Sequence, residues 1–264
     1  MPYSFQGKKT LLTGATGGLG GVIARLLHRR GAELILTGRN ADVLRPLADE
    51  LSARAVVVDL ADPVEVDRLI AESGEIDLLI GNAALPGSGL LPEYTLEQVD
   101  RHLMVNLRAP IILARAFSQG MVTRGSGHIV LIGSLSGKSS SPASALYSAT
   151  KFGLRGFAGG LRQDLHGTGV GVSIVQPGFV SGVGMFADSG AQLPRGMRTI
   201  SPDAVAEAVA SAIEHNSGEV DVAPLEVKAV ALLGSVFPEL SARILRRMGG
   251  GTLAALVEAQ REKR

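Results

Sequence analysis

The 264-residue sequence predicts an α/β fold: a doubly wound parallel sheet with helices on both faces, built as a single domain. Three observations carry that prediction. Short β-branched or leucine-rich runs alternate with longer stretches of helical periodicity. The short runs are continuously apolar, as strands buried on both faces are, rather than alternating. And the first run passes through a glycine-rich turn, TGATGGLG at residues 13–20, directly into a helical pattern.

In chain order, TLLTG reads as the first strand, and GGVIARLLHRRG behind the turn as a helix ended by Gly31. ELILTG, RAVVVDL and IDLLIGNAA read as the next strands, separated by the helical stretches NADVLRPLADELS and DPVEVDRLIAESG. A long helical stretch, TLEQVDRHLMVNLRAPIILARAFSQGM, leads to the strand GHIVLIGS, and SALYSATKFGLRGFAGGLRQDLHG leads to GVSIVQPG. The helical SPDAVAEAVASAIEHNSG and the strand GEVDVAP close the series. Two segments stand outside this rhythm: a loop from Phe179 to about Ile200, and an extension from about Leu225. The expected division is residues 1–225 as the sheet-forming part and residues 226–264 as a helical extension of the same domain.

Lys plus Arg number 26 against 25 Asp plus Glu, so no charge excess argues for nucleic acid or an anionic membrane. The chain has no cysteine, which excludes disulfides, thiolate metal sites and cysteine nucleophiles and fits a reducing, cytoplasmic location. No stretch of about 20 apolar residues is present, and MPYSFQGKK lacks a signal-peptide core. The histidines at 28, 102, 128, 166 and 215 are scattered without metal-ligand spacing, so they read as solvated or core residues and no metal is expected.

The glycine turn parses in two registers, through Gly14, Gly18 and Gly20 or through Gly14, Gly17 and Gly20. Either way, strand–turn–helix is a context that binds phosphate, because free N–H groups and the helix dipole face the anion. Tyr147 and Lys151 lie one helical turn apart on a shared face. An adjacent ammonium favours the phenolate, which makes the tyrosine an acid/base candidate; the plainer reading is an exposed surface pair. Ser134 ends the strand GHIVLIGS, as a reacting hydroxyl or as a strand-end cap. Asn82 to Ala84 end the strand before it, and Asn106 stands inside a helix, a mildly disfavoured position that a backbone clamp would explain.

With QPGFV at 176–180, these motifs resemble the single-domain subdivision of the short-chain dehydrogenase/reductase family, in order and at the family's spacing over residues 5–225. The resemblance implies a Rossmann-type sheet and selects the TGxxxGxG register of Gly14, Gly18 and Gly20, with Gly17 a bystander; the other register belongs to a longer, sugar-nucleotide-modifying branch. It implies a tetrad of Asn106, Ser134, Tyr147 and Lys151. Tyr147 would exchange a proton with the substrate oxygen, Ser134 would hydrogen-bond that oxygen, Lys151 would lower the tyrosine pKa and hold ribose hydroxyls, and Asn106 would anchor a relay water. Dinucleotide contacts are implied for Thr13, Gly14, Thr16, Gly18, Leu19, Gly20, Arg39, Asp59, Leu60, Asn82, Ala83, Tyr147, Lys151, Pro177, Gly178 and Val180.

The end of the second strand reads Thr37, Gly38, Arg39, with no acid to accept ribose hydroxyls and a planar cation suited to a 2′-phosphate, so NADP(H) is the expected cofactor. Gly182 stands where the family often has a threonine that meets the carboxamide; Ser181 or a neighbouring backbone group would substitute. Met185, Phe186, Leu193 and Met197 suggest a lid over an apolar carbonyl or alcohol. A catalytically idle dinucleotide sensor, and an isomerase or dehydratase using a transient hydride, are the alternative functions. Gly153, Gly156 and Gly160 strip one face of the tyrosine helix, which suggests a homo-oligomer. The extension, with Arg243, Arg246 and Arg247, is expected to cover the substrate cleft or a neighbouring subunit rather than lie on a membrane.

Overall fold

A computed structural model describes residues 3–189, 193 and 197–248. The seven runs form β1 (Lys9–Leu12), β2 (Glu33–Gly38), β3 (Arg54–Val57), β4 (Leu78–Gly81), β5 (Gly127–Ile132), β6 (Val170–Pro177) and β7 (Glu219–Val222). All pair in parallel, in the order β3-β2-β1-β4-β5-β6-β7. The winding reverses between β1 and β4, so the ligand crevice of such a sheet opens where Gly14 and Asn82 follow those strands.

The helices are α1 (Gly18–Arg29), α2 (Ala41–Glu50), α3 (Pro63–Ser73), α4 (Leu96–Leu103), α5 (Ala109–Arg124), α6 (Ala145–Asp164), α7 (Gly184–Ala187), α8 (Pro202–Glu214), α9 (Leu225–Val236) and α10 (Pro238–Met248). Neighbouring strand residues face opposite ways into two cores. Leu12, Leu36, Ile80, Val130 and Val175 pack with Ile23 and Leu27 of α1, Leu44 of α2 and Val209 of α8. Leu11, Leu79, Ile129, Leu131 and Ile174 pack with Leu69 of α3, Leu113 and Met121 of α5 and Leu154 of α6. Each such side chain contributes about 1.5–3 kcal/mol of burial, and the two-sided demand is why the strands read as unbroken apolar runs.

The helical stretch from Leu96 to Arg124 is not one continuous α-helix. A π-helical turn, Met104–Arg108, separates α4 from α5, closed by the Ala109 amide on the Met104 carbonyl. Pro110 supplies the physical reason: without an amide hydrogen it cannot donate to the Asn106 carbonyl, and its ring crowds that turn.

The ends of the segment expected as a lid are tied by a Val180–Ile200 bridge, with Ser181 N–H on the Ile200 carbonyl and Ile200 N–H on that of Phe179. Residues 190–192 and 194–196 of that segment lie outside the described residues, as do residues 249–264 of the extension and the side chains of Arg246 and Arg247. Val227 and Ala231 of α9 pack on Leu135, so the extension's first helix is joined to the loop after β5. No described helix is long and apolar enough to cross a membrane.

Candidate active site

The turn after β1 is shaped by what a side chain would strike. Gly14 holds φ +68°, and a Cβ there would lie 2.7 Å from Ala83 Cα. A Cβ at Gly20 would be driven into the Gly14 carbonyl, and one at Gly18 would lie 2.5 Å from Val183 Cβ. At Gly17 the nearest atom is 3.4 Å away, an ordinary contact, in keeping with the register through Gly14, Gly18 and Gly20. Gly18, Leu19 and Gly20 open α1, where first-turn amides lack helical partners.

Thr13 stands at the start of that turn. It is buried behind the turn: its hydroxyl accepts the Asn82 and Ala83 amides at 3.0 and 3.1 Å and donates to the Ile80 carbonyl at 3.4 Å. All of its capacity goes into tying β1 to β4, and it does not line the cleft. Asn82 reinforces that tie, donating to the Thr13 and Gly14 carbonyls.

A cleft of about 960 Å³ runs along the carboxyl ends of the strands. It is lined by Gly14, Thr16, Gly18, Leu19 and Gly20 after β1, Thr37, Gly38 and Arg39 at the end of β2, Asp59 and Leu60 after β3, Asn82 and Ala83 after β4, Ser134 after β5, Pro177, Gly178 and Val180 at and after the end of β6, and Tyr147 and Lys151 of α6. Arg39 is exposed, while the Thr37 hydroxyl is buried without a hydrogen-bond partner among the described residues. Burial raises the Asp59 pKa, but the Ala61 amide, the Arg101 guanidinium at 2.7 Å and the charge of Arg39 outweigh it and hold the carboxyl below its usual range.

Lys151 is buried and donates to the Ile132 carbonyl at 2.9 Å, with its Nζ 5.5 Å from the Tyr147 ring centroid. Ser134 accepts the Ser136 amide at 3.1 Å, the strand-end cap, and its side chain also hydrogen-bonds Tyr147. The expected lowering of the tyrosine by its lysine is not what this arrangement produces. Burial pushes Tyr147 up to about 12 against the pull of the Ser134 bond, and the same burial brings Lys151 down to about 8. Withdrawal from water penalises phenolate and ammonium alike.

Asn106 does not line the cleft. Its side chain clamps Leu85, accepting that residue's amide at 2.6 Å and donating to its carbonyl at 2.9 Å. Its Nδ2 also meets His102 Nε2 at 2.9 Å. His102, read in the sequence as one of five scattered histidines, is buried here with its ring edge-on to Tyr147, centroids 6.3 Å apart. The signal available was its place four residues before Asn106, one turn away on the same helical face. Of the two stand-ins for the threonine missing at Gly182, Ser181 gives its hydroxyl to the Ile200 carbonyl, which leaves the backbone of Val183 and Gly184 beside the cleft. Met185, Phe186 and Met197 line the cleft; Leu193 does not.

A parallel sheet with a glycine turn at its switch point, and serine, tyrosine and lysine lining the same cleft, defines a dinucleotide-dependent oxidoreductase of the short-chain class. The chain belongs to the short chain dehydrogenase family, whose sequence profile matches residues 8–194, and the family uses a nicotinamide dinucleotide. It is 34% identical over 260 residues to the ketoacyl reductase HetN of a Nostoc species, which covers 93% of this chain and 91% of that protein. Among solved structures, a serine dehydrogenase complexed with NADP+ is 30% identical with a TM-score of 0.73, over 83% of this chain and 95% of that one. A short-chain dehydrogenase of Sphingobium yanoikuyae in complex with NADPH is 28% identical with a TM-score of 0.76, over 89% and 95%.

Proposed function

We propose that the chain is an NADP(H)-dependent oxidoreductase that interconverts a carbonyl and a secondary alcohol on an apolar substrate, with Tyr147 as the acid/base. The observation that carries this reading is that Ser134, Tyr147 and Lys151 line the same cleft as the glycine turn after β1 and Arg39 after β2. Two similar proteins bound to NADP+ or NADPH support the cofactor assignment. Phe179, Met185, Phe186, Met197 and Val230 among the lining residues support an apolar substrate.

The residues present fit a dinucleotide: a turn with no room for a Cβ at Gly14, Gly18 or Gly20, the first-turn amides of α1, and a buried Thr37 hydroxyl beside Arg39 with no partner among the described residues. Gly18 to Gly20 would hold the pyrophosphate, and Arg39 with Thr16 a 2′-phosphate. When bound, the nicotinamide supplies or accepts the hydride. Tyr147, held at about 12, is protonated at neutral pH and therefore loaded as the donor for reduction. An alkoxide is far more basic than a phenolate, so the proton passes from Tyr147 to the substrate oxygen without a depressed tyrosine pKa. Ser134 donates to the same oxygen, and Lys151, still largely protonated below pH 8, offsets the phenolate left behind. Because Pro110 leaves the Asn106 carbonyl without its α-helical donor, that carbonyl supports the reading of Asn106 as a water anchor.

The test is a panel of carbonyl compounds with NADPH, followed at the nicotinamide absorbance. Turnover of apolar ketones is expected; a panel with no net cofactor oxidation would overturn the assignment in favour of transient-hydride chemistry or dinucleotide sensing. On the same reading the chain is a cytoplasmic homo-oligomer. Gly156, Gly159 and Gly160 are exposed, and among the described residues nothing beyond their own helical turn comes within 4 Å of a Cβ at any of them, whereas Gly153 is met from within the chain by Leu107 at 3.2 Å.

A further inference from the structure

We propose that His102 is a positioning residue for the catalytic part of the cleft: its Nε2 completes the hydrogen bonding of Asn106, which holds the Leu85–Gly87 segment against Tyr147. The argument begins with the Asn106 amide, whose orientation is not free. Its oxygen takes the Leu85 N–H at 2.6 Å, so the other arm is the NH₂ group, and that group gives one hydrogen to the Leu85 carbonyl at 2.9 Å. The second hydrogen points at His102 Nε2, 2.9 Å away. Nε2 must therefore accept, which places the ring proton on Nδ1 and makes the neutral imidazole the only form that fits. Burial and the neighbouring Lys151 charge favour that form, bringing His102 down to about 4.

The ring's other contacts lead to the reacting groups. A Cβ at Gly87 would lie 2.6 Å from His102 Cε1 and 2.8 Å from Tyr147 Cβ, so Gly87 is held between the two side chains with no space to spare. The His102 and Tyr147 rings meet at 71°, the edge-to-face arrangement aromatic pairs prefer. One edge of the imidazole thus fixes the clamp on Leu85, and the remainder supports Gly87 and the tyrosine. Remove the acceptor, and a buried Asn106 hydrogen loses its partner. The amide then has reason to turn away and release Leu85.

The catalytic consequence rests on the oxidoreductase reading; the release of Leu85 does not. The informative pair is His102→Gln and His102→Met, two unbranched side chains of similar size, of which only glutamine can present an acceptor near the position of Nε2. Hydrogen–deuterium exchange at the Leu85 amide should be about tenfold faster in the methionine variant, the scale of one buried hydrogen bond, and near the parent rate in the glutamine variant. With a ketone accepted by the parent, kcat should fall by a similar factor in the methionine variant only, while the NADPH Kd, read by nicotinamide fluorescence, stays within about threefold. In an Asn106→Ala background, adding His102→Met should change neither readout further. Unchanged Leu85 exchange in the methionine variant, or equal losses in the two variants, would overturn the proposal. A parent inactive across the carbonyl panel would instead overturn the oxidoreductase reading, and the exchange comparison would still decide the role of His102.

Discussion

Replacing Gly38 by aspartate is expected to weaken binding of NADPH and NADH alike, and trimming Thr16 in the same protein is expected to restore NADH alone. The end of β2 is where dinucleotide-binding sheets set a carboxylate against the ribose hydroxyls, so the substitution looks like a direct route to NAD specificity. The structure blocks it. A Cβ at Gly38 would stand 2.6 Å from Thr16 Cγ2 and 2.7 Å from Thr16 Oγ1, against about 3.5–4.0 Å for an unstrained carbon contact. Neither backbone has an easy retreat. Gly38 is paired with Val57 in the ladder and accepts the Val58 amide at 3.1 Å, while Ala15 N–H holds the turn to the Thr37 carbonyl at 2.8 Å.

Overpacking of this kind costs about 1–3 kcal/mol, and if the glycine turn absorbs it, affinity for either cofactor drops by about 5- to 150-fold. Thr16→Ala removes both γ atoms and leaves only the Thr16 Cβ position, at 3.2 Å. The new carboxylate can then meet ribose hydroxyls, while it repels a 2′-phosphate. The chain has no tryptophan, so titration calorimetry with each cofactor is the suitable assay for the parent, both single variants and the double variant. If Gly38→Asp alone binds NADH as tightly as the double variant, Thr16 yields freely and the steric argument is wrong.

Tyr147→Phe should abolish turnover while leaving NADPH binding nearly intact, since it removes the transferable proton and little else; turnover at about a tenth of the parent rate or more would remove Tyr147 from the acid/base role. The parent should prefer NADPH over NADH by at least about tenfold, or about 1.4 kcal/mol, and Arg39→Asp should erase that preference in kcat/KM measurements; equal kcat/KM values in the parent would contradict the phosphate assignment. His128 is buried against Ser173 and brought down to about 4, so below its ordinary value near 6.5 the unfolded chain binds the extra proton and stability is lost as pH falls toward 4. Thermal melts from pH 7 to 4 should show a shallower fall in His128→Gln, and an unchanged slope would mean the histidine is already charged in the fold. Gly156→Leu should lower the mass found by light scattering after size exclusion, and a monomeric parent at micromolar concentration would refute the oligomer.

The sheet was legible because two-sided burial leaves a plain mark: Leu11–Leu12, Leu34–Leu36 and Ile129–Ile132 are unbroken apolar runs. The glycine turn was legible for a related reason, since only the register through Gly14, Gly18 and Gly20 coincides with positions where a Cβ has no room. Spacing along one helix brought Tyr147 and Lys151 together, but spacing says nothing about water. Their proton affinities follow from how deeply α6 is covered, a property of the whole fold. Contacts between distant segments were equally hidden. That Thr13 faces away from the cleft depends on β4, and that Thr16 guards Gly38 depends on how closely the turn returns to β2. The break between α4 and α5 did have a local sign in Pro110, obscured because helical sequence continues on both sides of it.

Ser134 shows how the extension bears on chemistry without touching the reacting atoms. The residues after it, Leu135–Gly137, form a short 3-10 turn capped by the Ser134 hydroxyl itself, so the turn's position sets the serine's position. On one side a Cβ at Gly137 would lie 2.7 Å from the Lys151 carbonyl, which brings the turn hard against α6. On the other, Leu135 is covered by Val227 and Ala231 of α9, and the Lys138 carbonyl accepts the Ser235 hydroxyl at 3.4 Å. The Lys138 ammonium, nearly buried, bridges Glu219 and Asp221 of β7 at 2.5 Å each, an arrangement costly to break because either partner alone would leave a charge poorly solvated. Val227 and Ala231 also line the cleft. The same two side chains therefore brace the loop that carries the serine and form part of the wall a substrate would meet. A substitution there that enlarges the pocket loosens the serine as well, so on the proposed chemistry pocket shape and rate are coupled through α9.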